Sequence, residues 1–79
     1  MNAQTDDILD YRGLKCPLPV LKARRALKQA QSGDVITIWA DDPASPLDMA
    51  HFCATEGHDL QEKQEQDYFI FQIAKGETT

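Results

Sequence analysis

Only two cysteines occur, Cys16 and Cys53, in sequence contexts that have nothing in common. That scarcity excludes a disulfide framework of the secreted kind and predicts two free thiols in a reducing compartment. No apolar run approaches the roughly 18 residues that a membrane-spanning helix needs. The opening residues, Met1 to Asp7, are polar and acidic, unlike the basic and apolar start of a signal peptide, so a cytoplasmic location and no membrane association are expected. Positive charge is also short: eight Lys and Arg stand against thirteen Asp and Glu, for a net charge of -5. A chain so acidic does not bind nucleic acid by bulk electrostatics, because phosphate contacts need clustered cations. With 79 residues there is room for one small core, and a deep enzyme pocket is excluded as well.

The few cations are unevenly placed. Arg12, Lys15, Lys22, Arg24, Arg25 and Lys28 fall in a stretch without a single acid, which carries +6, while the other two basic residues face all thirteen acids and leave -11 elsewhere. Hydrophobic residues at 42% and charged residues at 27% are ordinary for a globular domain. One domain over 1–79 is expected, with 1–7 and 75–79 as flexible ends.

Ile8 to Tyr11 is a short apolar run closed by Gly13 and reads as a strand entering a turn. From Pro17 to about Gln31, Val20, Ala23, Leu27 and Ala30 recur at helical spacing until Ser32-Gly33-Asp34 stops the helix. Val35 to Ala40 is β-branched and aromatic enough for a central strand, broken by Asp41-Asp42-Pro43. Ser45-Pro46-Leu47-Asp48 combines an N-cap serine, a proline at the first helical position and an acid three residues after the cap. That signal predicts a second helix running to Glu56 and ending at Gly57. His58 to Gln64 alternates weakly, Glu65-Gln66-Asp67 reads as a hairpin turn, and Tyr68 to Ile73 strongly favours strand. The order β-α-β-α-β-β predicts an α/β (α+β) fold: a four-stranded mixed sheet with both helices on one face.

Cys16 carries the chemistry. As N-cap of the first helix, its sulfur is expected where unpaired backbone N–H groups and the positive end of the helix dipole converge, which favours thiolate. Pro17 is expected at the first helical position and Pro19 at the third, where a missing N–H costs no helical bond. With no donor at Pro19, the sulfur could accept from the Leu18 N–H alone. Lys15 and Arg12, with Lys22 further along, add positive charge expected to lower the thiol pKa. Such a thiolate can attack an enzyme-bound persulfide and hold the sulfur as Cys-S-S⁻. The plain alternative is a cysteine that only packs as a small apolar residue. Dithiol redox chemistry is disfavoured, since Pro19 stands where a Cys-x-x-Cys motif has its resolving cysteine.

Leu9-Asp10-x-x-Gly13-Leu14-x-Cys16-Pro17-x-Pro19-Val20, followed by Gly33-Asp34, Asp41-Asp42-Pro43-Ala44 and Phe52-Cys53-x-x-x-Gly57-His58-x-Leu60, resembles the TusA/SirA-like family of small sulfur carriers over nearly the whole chain. The resemblance implies a two-layer α/β sandwich and a persulfide on Cys16, received from a cysteine desulfurase or rhodanese-type donor. It also implies delivery to an acceptor, which in the best-known branch is a DsrE-like relay leading to 2-thiouridine in tRNA. Other branches serve molybdenum cofactor assembly, sulfur oxidation or roles with membrane transporters. Residue 18 is Leu, where the tRNA-thiolation branch typically has Glu. A carrier of this kind works by exchange, without organic cofactor or metal, and is expected to be a monomer between partners.

At 100° per residue, Lys22, Arg24, Arg25 and Lys28 share an arc of the first helix with Leu18 and Leu21, opposite the apolar arc of Val20, Ala23, Ala26, Leu27 and Ala30. Leucines among cations suit docking on an acidic partner; an ordinary solvated face is the alternative. Cys53 falls on the apolar side of the second helix and reads as core. His51 and His58 lack paired-ligand spacing, so no metal site is expected. Trp39 and the Tyr68 to Phe71 run read as sheet core, because no cations interleave with them. Asp41 and Asp42 shape a turn. The rival to a sulfur carrier is a non-catalytic interaction or regulatory module that uses the basic face of the first helix alone.

Overall fold

The computed structural model describes residues 8–76; of the expected flexible ends 1–7 and 75–79, residues 1–7 and 77–79 lie outside the described residues. Six elements succeed one another: β1 (Ile8–Asp10), α1 (Leu18–Gln29), β2 (Val35–Ala40), α2 (Ser45–Glu56), β3 (Asp59–Gln64) and β4 (Phe69–Ala74). The strands form one sheet in the order β1-β2-β4-β3. β1 runs parallel to β2, whereas β2–β4 and β3–β4 are antiparallel. This is the mixed sheet with two helices on one face that the residue pattern predicts.

β2 and β4 hold the centre because their alternate residues are large and apolar. Register places Ile36 opposite Ile73, Ile38 opposite Phe71 and Ala40 opposite Phe69, and directly opposed residues share a sheet face. Onto that face α1 lays Ala23 and Leu27, and α2 lays Met49, Phe52 and Cys53, all buried. Leu9 of β1 and Leu60 of β3 extend the cluster to the sheet edges. The rest of β3 is polar and exposed, which discourages another strand from adding there.

Trp39 and Tyr68 correct the expectation of sheet core. Alternation turns Trp39 away from Ile38 and Ala40, onto the face without helices. Its ring lies 5.0 Å from that of Tyr68, and the Arg12 guanidinium sits 4.8 Å and 4.9 Å from the two ring centres. Asp10 holds Arg12 in place through hydrogen bonds of 2.9 and 2.8 Å. The cation missing from the aromatic run in sequence is thus delivered by a loop.

α2 starts differently from its sequence signal. Its N-cap is Ala44, and Ser45 is the first helical residue, with no side-chain cap. The turn is closed by Asp42, two residues before the cap, whose Oδ1 accepts from the Ala44 N–H at 2.8 Å and whose carbonyl accepts from the Ser45 N–H at 2.9 Å. Ser45 is consequently 2% exposed, with a hydroxyl that lacks a partner. Replacing Ser45 with Ala is expected to raise stability by up to about 1 kcal/mol in urea denaturation, by removing a buried unpaired hydroxyl. A loss of similar size would contradict this assignment. The other end behaves as predicted: Gly57 caps α2 at φ 80°, its N–H bonded to the Cys53 carbonyl, a left-handed conformation that favours glycine.

Residues 75 and 76, the start of the C-terminal end, are hydrogen-bonded to the rest of the domain. Lys75 N–H donates to the Asp34 carbonyl at 2.8 Å, its Nζ reaches the Ala30 carbonyl at 2.7 Å, and the Gly76 N–H donates to His58 Nδ1 at 3.0 Å. β4 is therefore extended by a fastened segment that ties α1, β2 and β3 together.

Candidate functional site

Parallel pairing of β1 and β2 sends the loops that leave them to the same side of the sheet, where both helices begin. Two consecutive acids after β2 join those loops. The Asp41 Oδ1 accepts from the Gly13 N–H at 3.0 Å, and the Asp42 Oδ2 accepts from the Cys16 N–H at 3.1 Å. The Tyr11 N–H continues the β1–β2 ladder to the Trp39 carbonyl at 2.8 Å. Two backbone donors on Asp42, from Ala44 and Cys16, hold its carboxyl below the usual range, and Lys15 adds to the effect. Asp41 and Asp42 do more than shape their own turn: they fix the loop that presents Cys16.

Cys16 is exposed and unbridged, but it is not the N-cap of α1. Pro17 occupies that position, and Pro19 stands at the second helical residue rather than the third. The Leu18 N–H, assigned to the sulfur from sequence, donates instead to the Lys15 carbonyl at 2.8 Å. The sulfur faces α2, where its S–H donates to Asp48 Oδ2 at 2.8 Å. Asp48 therefore pushes the Cys16 thiol up by accepting that bond, with smaller contributions from desolvation and from the negative charges of Asp48 and Asp42. That reverses the lowered pKa expected from a helix start flanked by cations. The cations themselves are elsewhere: Arg12 is stacked on the helix-free sheet face, and the resolved effect of Lys15 falls on Asp42.

From Cys16 a groove of about 510 Å³ runs between the two helices. Val20, Leu47 and Phe52 give it an apolar floor and lip, and Leu47 is 77% exposed. Arg24 closes the far end by pairing with Glu56 at 2.8 Å, its guanidinium 5.8 Å from the Phe52 ring centre. His51 also lines this groove, while Cys53, two residues on, is buried.

The basic arc of α1 divides into two surfaces. Arg24 turns toward α2 and the groove. Leu18, Leu21, Lys22 and Arg25 line a separate surface beside Tyr11, where the Lys22 ammonium lies 5.7 Å from the tyrosine ring centre. Leu18 and Leu21 stay 45% and 48% exposed, so this side presents a second apolar surface bordered by cations. Lys28 lies in the last turn of α1, where a cation suits the helix C-terminus. Burial pushes the Cys53 thiol up to about 11, which makes it inert as a nucleophile at neutral pH. Among the described residues no cluster of His, Cys, Asp and Glu is suited to a metal ion, and no helix is long and apolar enough to cross a membrane.

Sequence reasoning missed Asp48 as a neighbour of the sulfur and missed the groove. Asp48 was legible only as an acid favourable in a first helical turn. The usable signal was topological: if β1 and β2 are parallel neighbours, whatever follows one strand must lie beside whatever follows the other.

A single exposed thiol on a small two-layer α/β domain, set where two loops and two helix starts meet, is the arrangement of a module suited to carrying a group on sulfur. Residues 7–75 match the family model described as sulfurtransferase TusA. The chain is 42% identical over 74 residues to the sulfur carrier protein TusA of Allochromatium vinosum, covering 92% of this chain and 97% of that one. It is 51% identical over 67 residues to a Neisseria meningitidis serogroup A protein described as a candidate sulfur carrier, covering 85% and 86% of the two chains. The crystal structure of a SirA-like protein from Desulfitobacterium hafniense superposes with a TM-score of 0.77 at 25% identity, covering 89% of this chain and 97% of that one. The chain belongs to the TusA sulfurtransferase family.

Proposed function

We propose that the protein is a cytoplasmic sulfur carrier in which Cys16 accepts sulfane sulfur as a persulfide from one protein and passes it to another. The observation that carries this reading is the exposed Cys16 sulfur at the mouth of the inter-helix groove, in a chain whose other cysteine, Cys53, is buried. In loading, the Cys16 sulfur attacks the terminal sulfur of a donor persulfide. A new S–S bond forms at Cys16, the donor's S–S bond breaks, and its electron pair leaves on the donor cysteine sulfur. The Cys16 proton ends on that sulfur, so Cys16-SH and donor-S-S⁻ become Cys16-S-S⁻ and donor-SH. One S–S bond replaces another, and no oxidant, reductant, metal or organic cofactor takes part. Delivery repeats the exchange with an acceptor thiol.

A cysteine desulfurase or rhodanese-type donor and a DsrE-like acceptor fit these two steps, with tRNA 2-thiouridine formation as one destination of the sulfur. Leu18 and Leu21, flanked by Lys22 and Arg25, suit an acidic partner surface with an apolar centre. The direct test is incubation with a cysteine desulfurase and cysteine, which is expected to add one sulfur to the intact mass. No gain under conditions where the desulfurase turns over would sink the proposal. Reversing both charges, Lys22→Glu with Arg25→Glu, is expected to slow transfer about tenfold or more at low salt, and less as salt screens the approach. An unchanged rate would remove the docking role of this surface.

A further inference from the structure

Asp48 has no assigned part in sulfur exchange, yet it is the only side chain bonded to the sulfur among the described residues. The contact joins two segments far apart in the chain, the loop before α1 and the first turn of α2. Its strand-end clamp is independent of it: the Asp42 carboxylate binds the Cys16 backbone, not the sulfur. The charged groups that act on the sulfur are Asp48 and Asp42, and Lys22 of α1 sits over the Tyr11 ring instead. Arg24 of α1 is paired with Glu56, Arg12 is paired with Asp10 on the far sheet face, and Lys15 neighbours Asp42. His51 lines the same groove one turn beyond Asp48.

We propose that Asp48 restrains Cys16: its carboxylate accepts the S–H bond and holds the unloaded sulfur as a thiol, so that attack starts only when a docked partner displaces or neutralises that carboxylate. The restraint makes the carrier selective. An exposed thiolate would react with any small disulfide or electrophile it met, whereas a thiol bonded to a carboxylate waits for the partner that can break the bond. It also loosens the cargo. Loading removes the S–H proton and places a second sulfur one bond length, about 2.05 Å, beyond the first, so the persulfide anion stands close to a negative oxygen. Like charges at that range disfavour the loaded anion, which favours passing the sulfur onward over storing it. The loosened cargo rests on the sulfur-carrier reading; the held thiol does not.

The test is the pH dependence of Cys16 alkylation by iodoacetamide, read on the Cys16 peptide by mass spectrometry, for the unloaded protein, Asp48→Asn, Asp48→Ser and Asp48→Glu. Asn and Ser are expected to move the midpoint of reactivity down by about one pH unit and to speed alkylation at neutral pH several-fold, while Glu restores part of the resistance. Asp48→Ser keeps a residue suited to a helix start, so at least one charge-free variant remains folded for comparison. A midpoint that stays in place or rises in both charge-free variants would overturn the proposal. No sulfur donor enters this assay, so a failure of Cys16 to load in the desulfurase experiment strikes the carrier reading alone.

Discussion

Replacing Cys16 with Ser is expected to abolish sulfur loading and transfer while leaving the fold intact. Oxygen in place of sulfur keeps the size and the hydrogen bond to Asp48, so the loop and the start of α1 have no reason to move. The hydroxyl cannot form the S–S bond on which both loading and delivery depend, and no nearby thiol can substitute. Cys53 is 2% exposed on the sheet-facing side of α2, and its burial-raised pKa of about 11 leaves almost no thiolate at neutral pH. The paired expectation is that Cys53→Ala transfers sulfur normally and loses stability instead. Residual loading of Cys16→Ser at the wild-type rate would mean that the sulfur is carried elsewhere.

Phe71→Ala is expected to have the largest effect on the fold. Phe71 is fully buried on the central strand β4, opposite Ile38 and within the core cluster to which both helices contribute. Truncating a buried phenylalanine typically costs about 3–5 kcal/mol through lost transfer energy and the cavity left behind. A domain of 79 residues has about 4–12 kcal/mol in total. The variant is therefore expected to be largely unfolded at physiological temperature, or to melt more than about 10 °C lower. A thermal shift of only one or two degrees would show that the core does not centre on the β2–β4 face. The exposed Trp39 face predicts a contrast: Arg12→Ala lowers the melting temperature only slightly, because the stacked guanidinium is on the solvent side of the sheet.

The elements that proved legible are those written in periodic patterns. Ile36, Ile38 and Ala40 alternate as a strand over a core must, and Ala23 and Leu27 recur as an amphipathic helix must. Gly57 announced the end of α2 because its conformation has a residue preference. The exposed cysteine at the head of α1 was legible for a similar reason, as the two prolines beside it mark a helix boundary. What sequence could not supply was the direction of side chains in the irregular stretch from Arg12 to Pro17. Placing Cys16 one residue outside the cap was enough to exchange the backbone N–H groups of α1 for the carboxylate of Asp48, 32 positions away. A one-step shift also moved the N-cap of α2 from Ser45 to Ala44, and the side-chain bond that closes the turn comes from Asp42. Arg12 is near Cys16 in sequence, yet Asp10 and the Trp39 and Tyr68 rings hold it on the other face. Charge near a site in sequence was thus a poor guide to its electrostatics; strand topology would have been a better one.

The central claim, that sulfur rides on Cys16, is tested most directly by locating the added atom. After incubation with a cysteine desulfurase and cysteine, the protein is trapped with an alkylating agent, digested and sequenced by mass spectrometry. The expected result is one additional sulfur on the peptide containing Cys16 and none on the peptide containing Cys53. Added sulfur on the Cys53 peptide, or on neither, would contradict the account.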